Sequence, residues 1–430
     1  MIKMVKVSEV KMIISNIETI RVGQFPDLLF TQVHTDTGIV GLGETWYAAP
    51  TVESAIHDYF GPLLVGRNPS EIERHWQTMF RLSDHAGYGG AELRAISALD
   101  VALWDIKGQT LQLPIFEVLG GGTRHRIKVY NTLGVYGNIT DGYDVWNDPV
   151  GVVHSLLDEG ITAMKMSPTD FIARETDGQI LFNDDLDFAL KPLRSIRDKF
   201  GMEIDVANDG HAKWNLPNAM RIVREMEPLR PMWHEELISP LNEVAHARLQ
   251  SATSTPIAAA ERLMTRYQHR RFIESRAAMI TMPDLTWTGG ISEVKKIGIL
   301  ASAHQMPIAP HDCVGPVNMF ACAHIAMSTP NVMIMEYNRA LHKGWYNDLI
   351  EPNFVVEDGY LLAPNEPGLG TRLKQSVKDR RDAIIRVSDR KEESWLMSRN
   401  RYTYPPQAMQ DEFTSSTPRR SAGFSSVYYD

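Results

Sequence analysis

The sequence predicts an α/β chain whose larger part is a (β/α)8 barrel of the TIM type, preceded by an N-terminal α+β domain. Three observations predict it. From about residue 129 onward, short apolar runs alternate with amphipathic stretches of helical length, the pattern of parallel βα units. The last polar residues of six successive runs are Asp209, Glu235, Glu261, Asp284, His311 and Glu336, at intervals of 26, 26, 23, 27 and 25 residues. A barrel of ~250 residues repeats every ~30, and the C-terminal ends of its strands converge on one mouth. The first 128 residues lack this rhythm: strand-like runs are followed by one long helical region.

In chain order, DLLFTQVHTDTGIVGLGE reads as a hairpin, with TDTG as the turn between two β-rich stretches. From about Thr51 to Lys107 the pattern is helical, and Leu93, Ile96, Leu99, Leu103 and Ile106 fall at helical spacing. Pro114 and Gly120-Gly121-Gly122 end that region, which places a domain boundary near residue 128. The barrel part is then 129–365, with apolar runs at 161–167, 202–209, 232–236, 256–261, 278–284, 306–311 and 331–336. The helix between two of them, AMRIVREMEPL, carries its apolar residues on one face. Residues 366–430 are expected to return to the N-terminal domain and to end in a Ser/Thr/Pro-rich tail that packs on it or on a neighbouring subunit.

Composition narrows the function. Of 430 residues, 43% are hydrophobic and 23% charged, which is ordinary globular usage. A net charge of −9 is a poor match for nucleic acid, whose phosphates need concentrated Lys and Arg. Two cysteines, Cys313 and Cys322, exclude a disulfide scaffold and a four-cysteine zinc site. No apolar run reaches the ~18 residues of a membrane span. The N-terminus has no apolar run of signal-peptide length, so the cytoplasm is the expected compartment. No Gly-rich dinucleotide fingerprint follows a strand.

The convergent residues carry the chemistry. One acid at a strand end reads as a surface ion pair. Asp209, Glu235 and Glu261, at 26-residue steps, read as three carboxylates that need a cation between them. Oxygen-only ligands suit a hard ion, most simply Mg2+. His211 lies two residues beyond Asp209, on the same face if the strand continues. His311 and Asp284 end neighbouring strands. A carboxylate on one imidazole nitrogen fixes the tautomer and makes the other nitrogen a general base. Glu336 can hydrogen-bond a substrate carboxylate or enediolate oxygen if it is protonated or shares a proton, which crowding by other anions favours by raising its pKa. Lys165, in the 161–167 run, either offsets charge at the mouth or points to solvent.

These residues in this order resemble the enolase superfamily, and within it the mandelate racemase-like acid sugar dehydratases of the galactonate and mannonate type. The resemblance spans nearly the whole chain. TDTGIVGLGE and ALDVALWDIKGQTLQLPIFEVLGG are similar to the N-terminal segments of that family. DGHAKWNLPNAM, HEEL, AERL, MPDLTWTGGISEVKKI, APHDCVGP and IMEYN are similar to its successive strand-end motifs. The resemblance implies a modified barrel capped by the α+β domain, with cap loops near 22–27 and 46–51 closing the site. It implies Asp209, Glu235 and Glu261 as Mg2+ ligands, His311 with Asp284 as a dyad, and Glu336 near the substrate carboxylate. It also implies a homo-oligomer.

Three departures are visible. Racemases of the family resemble one another in a Lys-x-Lys pair, but here the stretch is Lys165-Met166-Ser167, which disfavours racemisation. Leu237 stands where Pro is usual, and Ala260 where Gly usually precedes the third ligand. Asp209-Gly210-His211 resembles the galactonate-type dehydratases. The implied reaction is loss of water from a small aldonate. His311 takes the C2 proton to give a metal-stabilised enediolate, and His211 protonates the departing 3-hydroxyl, leaving a 2-keto-3-deoxy acid. A neutral His311 and a protonated His211 imply a bell-shaped pH profile. The alternatives are an epimerase or cycloisomerase using the same enediolate, or a low-activity relative that binds or assembles.

Overall fold

The computed structural model describes residues 12–83, 89–312 and 314–389. The expected packing of the C-terminal tail, and Cys313, lie outside the described residues. Strands β1 (Ile14–Val22), β2 (Phe25–Thr35) and β3 (Val40–Trp46) form an antiparallel meander. The TDTG stretch makes the β2–β3 turn, with Gly38 in the left-handed region at φ +85°. The predicted long helical region is several helices. Ala49–Ser54, Ile72–Ser83 and Ala91–Leu111 are the main ones, and Asn68-Pro69 interrupts them before Ile72. Leu93, Ile96, Leu99, Leu103 and Ile106 are all buried in Ala91–Leu111. That helix lies directly on β3. A Cβ on Gly41 or Gly43 would stand 2.0 Å from the Ala102 carbonyl oxygen or 1.9 Å from that of Ala98, so only glycine permits the approach.

The barrel is β4 (Arg126–Thr132), β5 (Ala163–Met166), β6 (Asp205–Asp209), β7 (His234–Glu235), β8 (Ile257–Ala259), β9 (Ile280–Thr281) and β10 (Met335–Tyr337). Neighbours from β4 to β9 pair in parallel, and β10 pairs in parallel with β4 to close the ring. At the remaining position Ile308 bridges to Thr281 and to Val332, and His311 to Asp284, without a strand of regular length. β4 was not among the runs read from the sequence. Its interior is packed. Ala163, Ala207, Ala258 and Ala309 leave room for Tyr130 and Trp233, whose rings meet edge-to-face at 5.0 Å.

After β10, β11 (Ile350–Glu351) pairs with β14 (Arg372–Leu373), and β12 (Val356–Glu357) and β13 (Tyr360–Leu362) add a hairpin to β4. β15 (Ala383–Ser388) then pairs antiparallel with β1, so the first sheet runs β15-β1-β2-β3. Among the described residues, no helix is long and apolar enough to cross a membrane.

A buried polar seam joins this sheet and its helices to the barrel. The Trp76 indole donates to the Gly289 carbonyl at 2.7 Å, and the Thr45 hydroxyl to that of Thr286 at 3.0 Å. Ser292 donates to Asp100 through its backbone at 2.9 Å and its hydroxyl at 2.6 Å. Glu44 accepts the backbone N–H groups of Val317 and Asn318, at 3.1 and 3.2 Å, where the helix Pro316–Ser328 begins. The seam therefore grips the segment just after Asp284 and the one just after His311.

Candidate active site

The six residues at the predicted interval all come to the barrel mouth, and all are buried, between 0 and 8% exposed. Asp209 and Glu235 end β6 and β7, Glu261 follows β8 by two residues, Asp284 follows β9 by three, and Glu336 is the middle residue of β10. Lys165 of β5 is 2% exposed and faces inward. Its ammonium stands 2.6 Å from Glu235 Oε1, 2.9 Å from Glu336 Oε1 and 3.2 Å from Asp209 Oδ2. Of its two possible roles, it is the one that offsets charge.

The same ammonium leaves its neighbours in opposite states. Burial, and after it crowding by Asp209, Glu336 and Glu261, pushes Glu235 up to about 8 against the pull of Lys165. Burial also works to raise Glu336, but Lys165, His311 and the Thr132 hydroxyl outweigh it and hold the carboxyl far below its ordinary value. Thr132 donates to its Oε1, and the Asp312 backbone N–H to its Oε2 at 2.8 Å. The expectation of a proton-bearing Glu336 is therefore corrected. Burial and anion crowding raise Glu235, whereas Glu336 has more donors and stays ionised.

Asp284 holds His311 through a division of labour. One carboxylate oxygen, Oδ1, accepts the Thr286 backbone N–H and hydroxyl, both at 2.7 Å, and so starts the helix Leu285–Thr288. The other, Oδ2, is 2.7 Å from His311 Nδ1. His311 Nε2 then faces Glu261 Oε2 at 3.6 Å, and the Trp287 ring lies against the imidazole at 4.9 Å. Burial alone would push His311 down. Glu261, then Asp284 and Glu336, instead raise it to about 10. The expected neutral imidazole is thus not its state beside uncompensated carboxylates.

His211 reaches the mouth by a different route from the one expected. β6 stops at Asp209, and His211 and Ala212 are both left-handed, at φ +47° and +59°. A turn carries the imidazole, not a continuing strand. Its Nδ1 is 2.7 Å from Asp170 Oδ2, and its Nε2 is 3.4 Å from Asp209 Oδ2. Lys213 pairs with the same Asp170 oxygen. Burial works against the charged ring, but Asp209 and Asp170 raise the His211 pKa.

Sequence reasoning missed Asp170, Thr132, Arg262 and Trp287. Arg262 pairs with Glu261 at 2.7 Å and with the buried Glu236. Trp287 touches both His311 and Tyr47 of the 46–51 loop, at 4.9 and 5.7 Å, while Phe25 of the 22–27 loop stacks on Trp345 at 4.4 Å. Trp287 and Arg262 had a sequence signal, their places three residues after Asp284 and directly after Glu261. Thr132 and Asp170 follow no acidic strand end.

Whether a divalent cation fits can be judged from the donors. As the side chains stand, no three His, Cys, Asp or Glu groups among the described residues form a ligand set. The carboxylates are turned onto Lys165 and Arg262. The donor chemistry fits nonetheless: Asp209, Glu235 and Glu261 are hard oxygen donors on adjacent parallel strands, buried, and crowded enough to push Glu235 up to about 8.

Both departures beside these residues have a structural counterpart. Leu237 is fully buried, and a Cβ on Gly210 would meet its side chain at 2.6 Å. Ala260 adopts φ +94°, where a Cβ is strained and glycine is not. Ala260→Gly is expected to stabilise the fold by about 1 kcal/mol, since relief of a positive-φ alanine outweighs the extra chain entropy of glycine. Denaturant unfolding checks this, and an equal destabilisation would show that the strain is absent.

Comparison with known proteins gives consistent matches. A family model for the N-terminal domain of mandelate racemase / muconate lactonizing enzyme matches residues 5–120, and one described as enolase C-terminal domain-like matches residues 151–377. The D-galactonate dehydratase of Variovorax paradoxus (strain S110) is 34% identical over 369 residues, 84% of this chain and 92% of its own. That of Ralstonia pickettii (strain 12J) is 33% identical over 359 residues, 82% and 90%. A crystal structure of an enolase of the mandelate racemase subgroup from Agrobacterium tumefaciens superposes with a TM-score of 0.81 at 37% identity, covering 88% of this chain and 99% of that one.

Proposed function

The chain belongs to the enolase superfamily, in its mandelate racemase / muconate lactonizing enzyme family, and from that premise we propose that it is a hydro-lyase that removes water from a small acid sugar. The observation that carries the reading is the His311–Asp284 pair, with Nδ1 tied to Asp284 at 2.7 Å and Nε2 turned to the mouth. Relatives named D-galactonate dehydratase, at 34 and 33% identity, support an aldonate as substrate.

In this reading Asp209, Glu235 and Glu261 hold Mg2+, which members of the superfamily generally use. When bound, Mg2+ supplies Lewis-acid stabilisation of the negative charge that develops on the substrate carboxylate. His311 Nε2 takes the C2 proton, and the imidazolium it becomes is stabilised by Asp284. His211 Nε2 gives a proton to the 3-hydroxyl as it leaves. Lys165 lies beside the carboxylates and offsets their charge, so the substrate carboxylate meets a less negative surface. Glu336, being ionised, acts as an acceptor that holds Lys165 and Thr132 in place. Loss of the C2 proton and the 3-hydroxyl gives an enol, which tautomerises to a 2-keto-3-deoxy acid. The 46–51 loop brings Tyr47 against Trp287 of the barrel, which lies over His311.

The test is a panel of aldonates, D-galactonate first, incubated with the protein and Mg2+ and assayed for 2-keto acid. Keto acid from at least one aldonate is the expected result. C2 hydrogen exchange without keto acid would replace dehydration by epimerisation. Silence from the whole panel, with Mg2+ bound, would reject the acid-sugar reading.

A further inference from the structure

We propose that Asp170 is a positioning residue that presents His211 Nε2 to the leaving hydroxyl, so that the elimination half of the site is held independently of the proton-abstracting half. This rests on the dehydration reading above. Asp170 opens the helix Asp170–Thr176, four residues beyond the end of β5. It therefore comes from a different strand-to-helix connection than either His211 or the His311–Asp284 pair. Its Oδ2 is 2.7 Å from His211 Nδ1 and also pairs with Lys213. Next to it, the Thr169 hydroxyl accepts the Trp214 indole N–H at 3.1 Å, which ties this connection to the chain just after His211.

The two imidazoles are held alike at both ring nitrogens but differ in how far they are enclosed. Each has Nδ1 on a carboxylate at 2.7 Å and Nε2 toward another carboxylate, at 3.4 Å for His211 and 3.6 Å for His311. But the His311 side chain is 10% exposed and lies against Trp287, whereas that of His211 is 40% exposed. The backbone of His211 is fixed. Its N–H donates to Asp209 Oδ1 at 3.1 Å, and Lys213 and Trp214 donate to Gly210 and Leu237 carbonyls at 3.0 and 2.9 Å. Its ring is less enclosed than that of His311. The Asp170 contact is what fixes the ring: Nδ1–H is given to Asp170 in both protonation states, so the second proton of the imidazolium, the one that is transferred, sits on Nε2.

The step balances as a water elimination. His311 takes the C2 proton, and the C2–H electron pair becomes the C2–C3 π bond. The C3–O bond breaks with its pair on oxygen, which leaves as water with the proton from His211 Nε2. Loosening His211 should slow the last event and spare the first.

The experiment uses the Mg2+-loaded full chain, the aldonate that the panel identifies, and deuterated water. For Asp170→Ala, keto-acid formation is expected to fall about a hundredfold, while C2 exchange into recovered substrate stays within about threefold of wild type. Asp170→Asn keeps an oxygen for Nδ1–H and should recover much of the loss. Parallel loss of exchange and product, as a merely structural role would give, would overturn the proposal, and so would an unchanged product rate. A second readout needs no substrate. In histidine-15N-labelled protein, with His211→Asn for assignment, the His211 ring signals should report a protonated Nδ1 in wild type and lose that signature in Asp170→Ala. An unchanged signature would overturn the proposal. If no aldonate turns over, the dehydration reading has failed, and these signals still decide whether Asp170 holds the ring.

Discussion

His311→Asn is expected to abolish keto-acid formation and C2 exchange together, each by about a thousandfold to ten-thousandfold. Asparagine fills a similar space and can still hydrogen-bond, but it cannot take a proton. Asp284 keeps its two contacts to Thr286, so the segment that carries it stays in place. The loss should appear in kcat, with Mg2+ still bound, because His311 is not among the proposed ligands. The contrast with Asp170→Ala is the informative part: one substitution stops both half-events and the other separates them. A His311→Asn protein that kept more than a tenth of the wild-type exchange rate would remove this imidazole from proton abstraction.

Mg2+ binding should release protons and strengthen as pH rises. Glu235, pushed up to about 8 by burial, carries a proton at neutral pH, and His311, raised to about 10, does too. A metal ligand must be deprotonated, and a cation at Glu261 weakens the first of the carboxylates that raise His311. The sign follows. Below about 8, binding must expel the Glu235 proton, so one linked proton weakens the apparent Kd about tenfold per pH unit, or about a hundredfold from pH 8 to pH 6. Above 8 that dependence fades. Calorimetry in two buffers of different ionisation enthalpy reads the release directly, with about one to two protons per metal expected. An affinity flat between pH 6 and 8, with no protons released, would remove Glu235 from the ligand set.

The mouth was legible because its residues interrupt apolar runs at a nearly constant interval. That interval survives even where the strand hardly exists: β7 and β9 are two residues each, and His311 sits on isolated bridges. A polar residue at the end of a buried run is conspicuous whatever the strand's length. β4 went unread because it ends in Asn131-Thr132 rather than an acid, and its alternation of Lys128 with Ile127 and Val129 is not a plain apolar run. Asp170 went unread because its position depends on how a strand-to-helix connection folds back on the next one, which no spacing records. The protonation states of Glu336 and His311 were misjudged for a related reason. They depend on which donors and anions lie closest, above all Lys165 and Glu261, and the strand pattern gives only which groups share a mouth.

The most direct test of the account is proton NMR of an aldonate with the Mg2+-loaded protein in deuterated water. Dehydration through His311 and His211 predicts loss of the C2–H signal and growth of a 3-deoxy position that carries one deuterium from solvent. Loss of the C2–H signal with no 3-deoxy product, or a C2–H signal that persists in every aldonate while Mg2+ is bound, would contradict it.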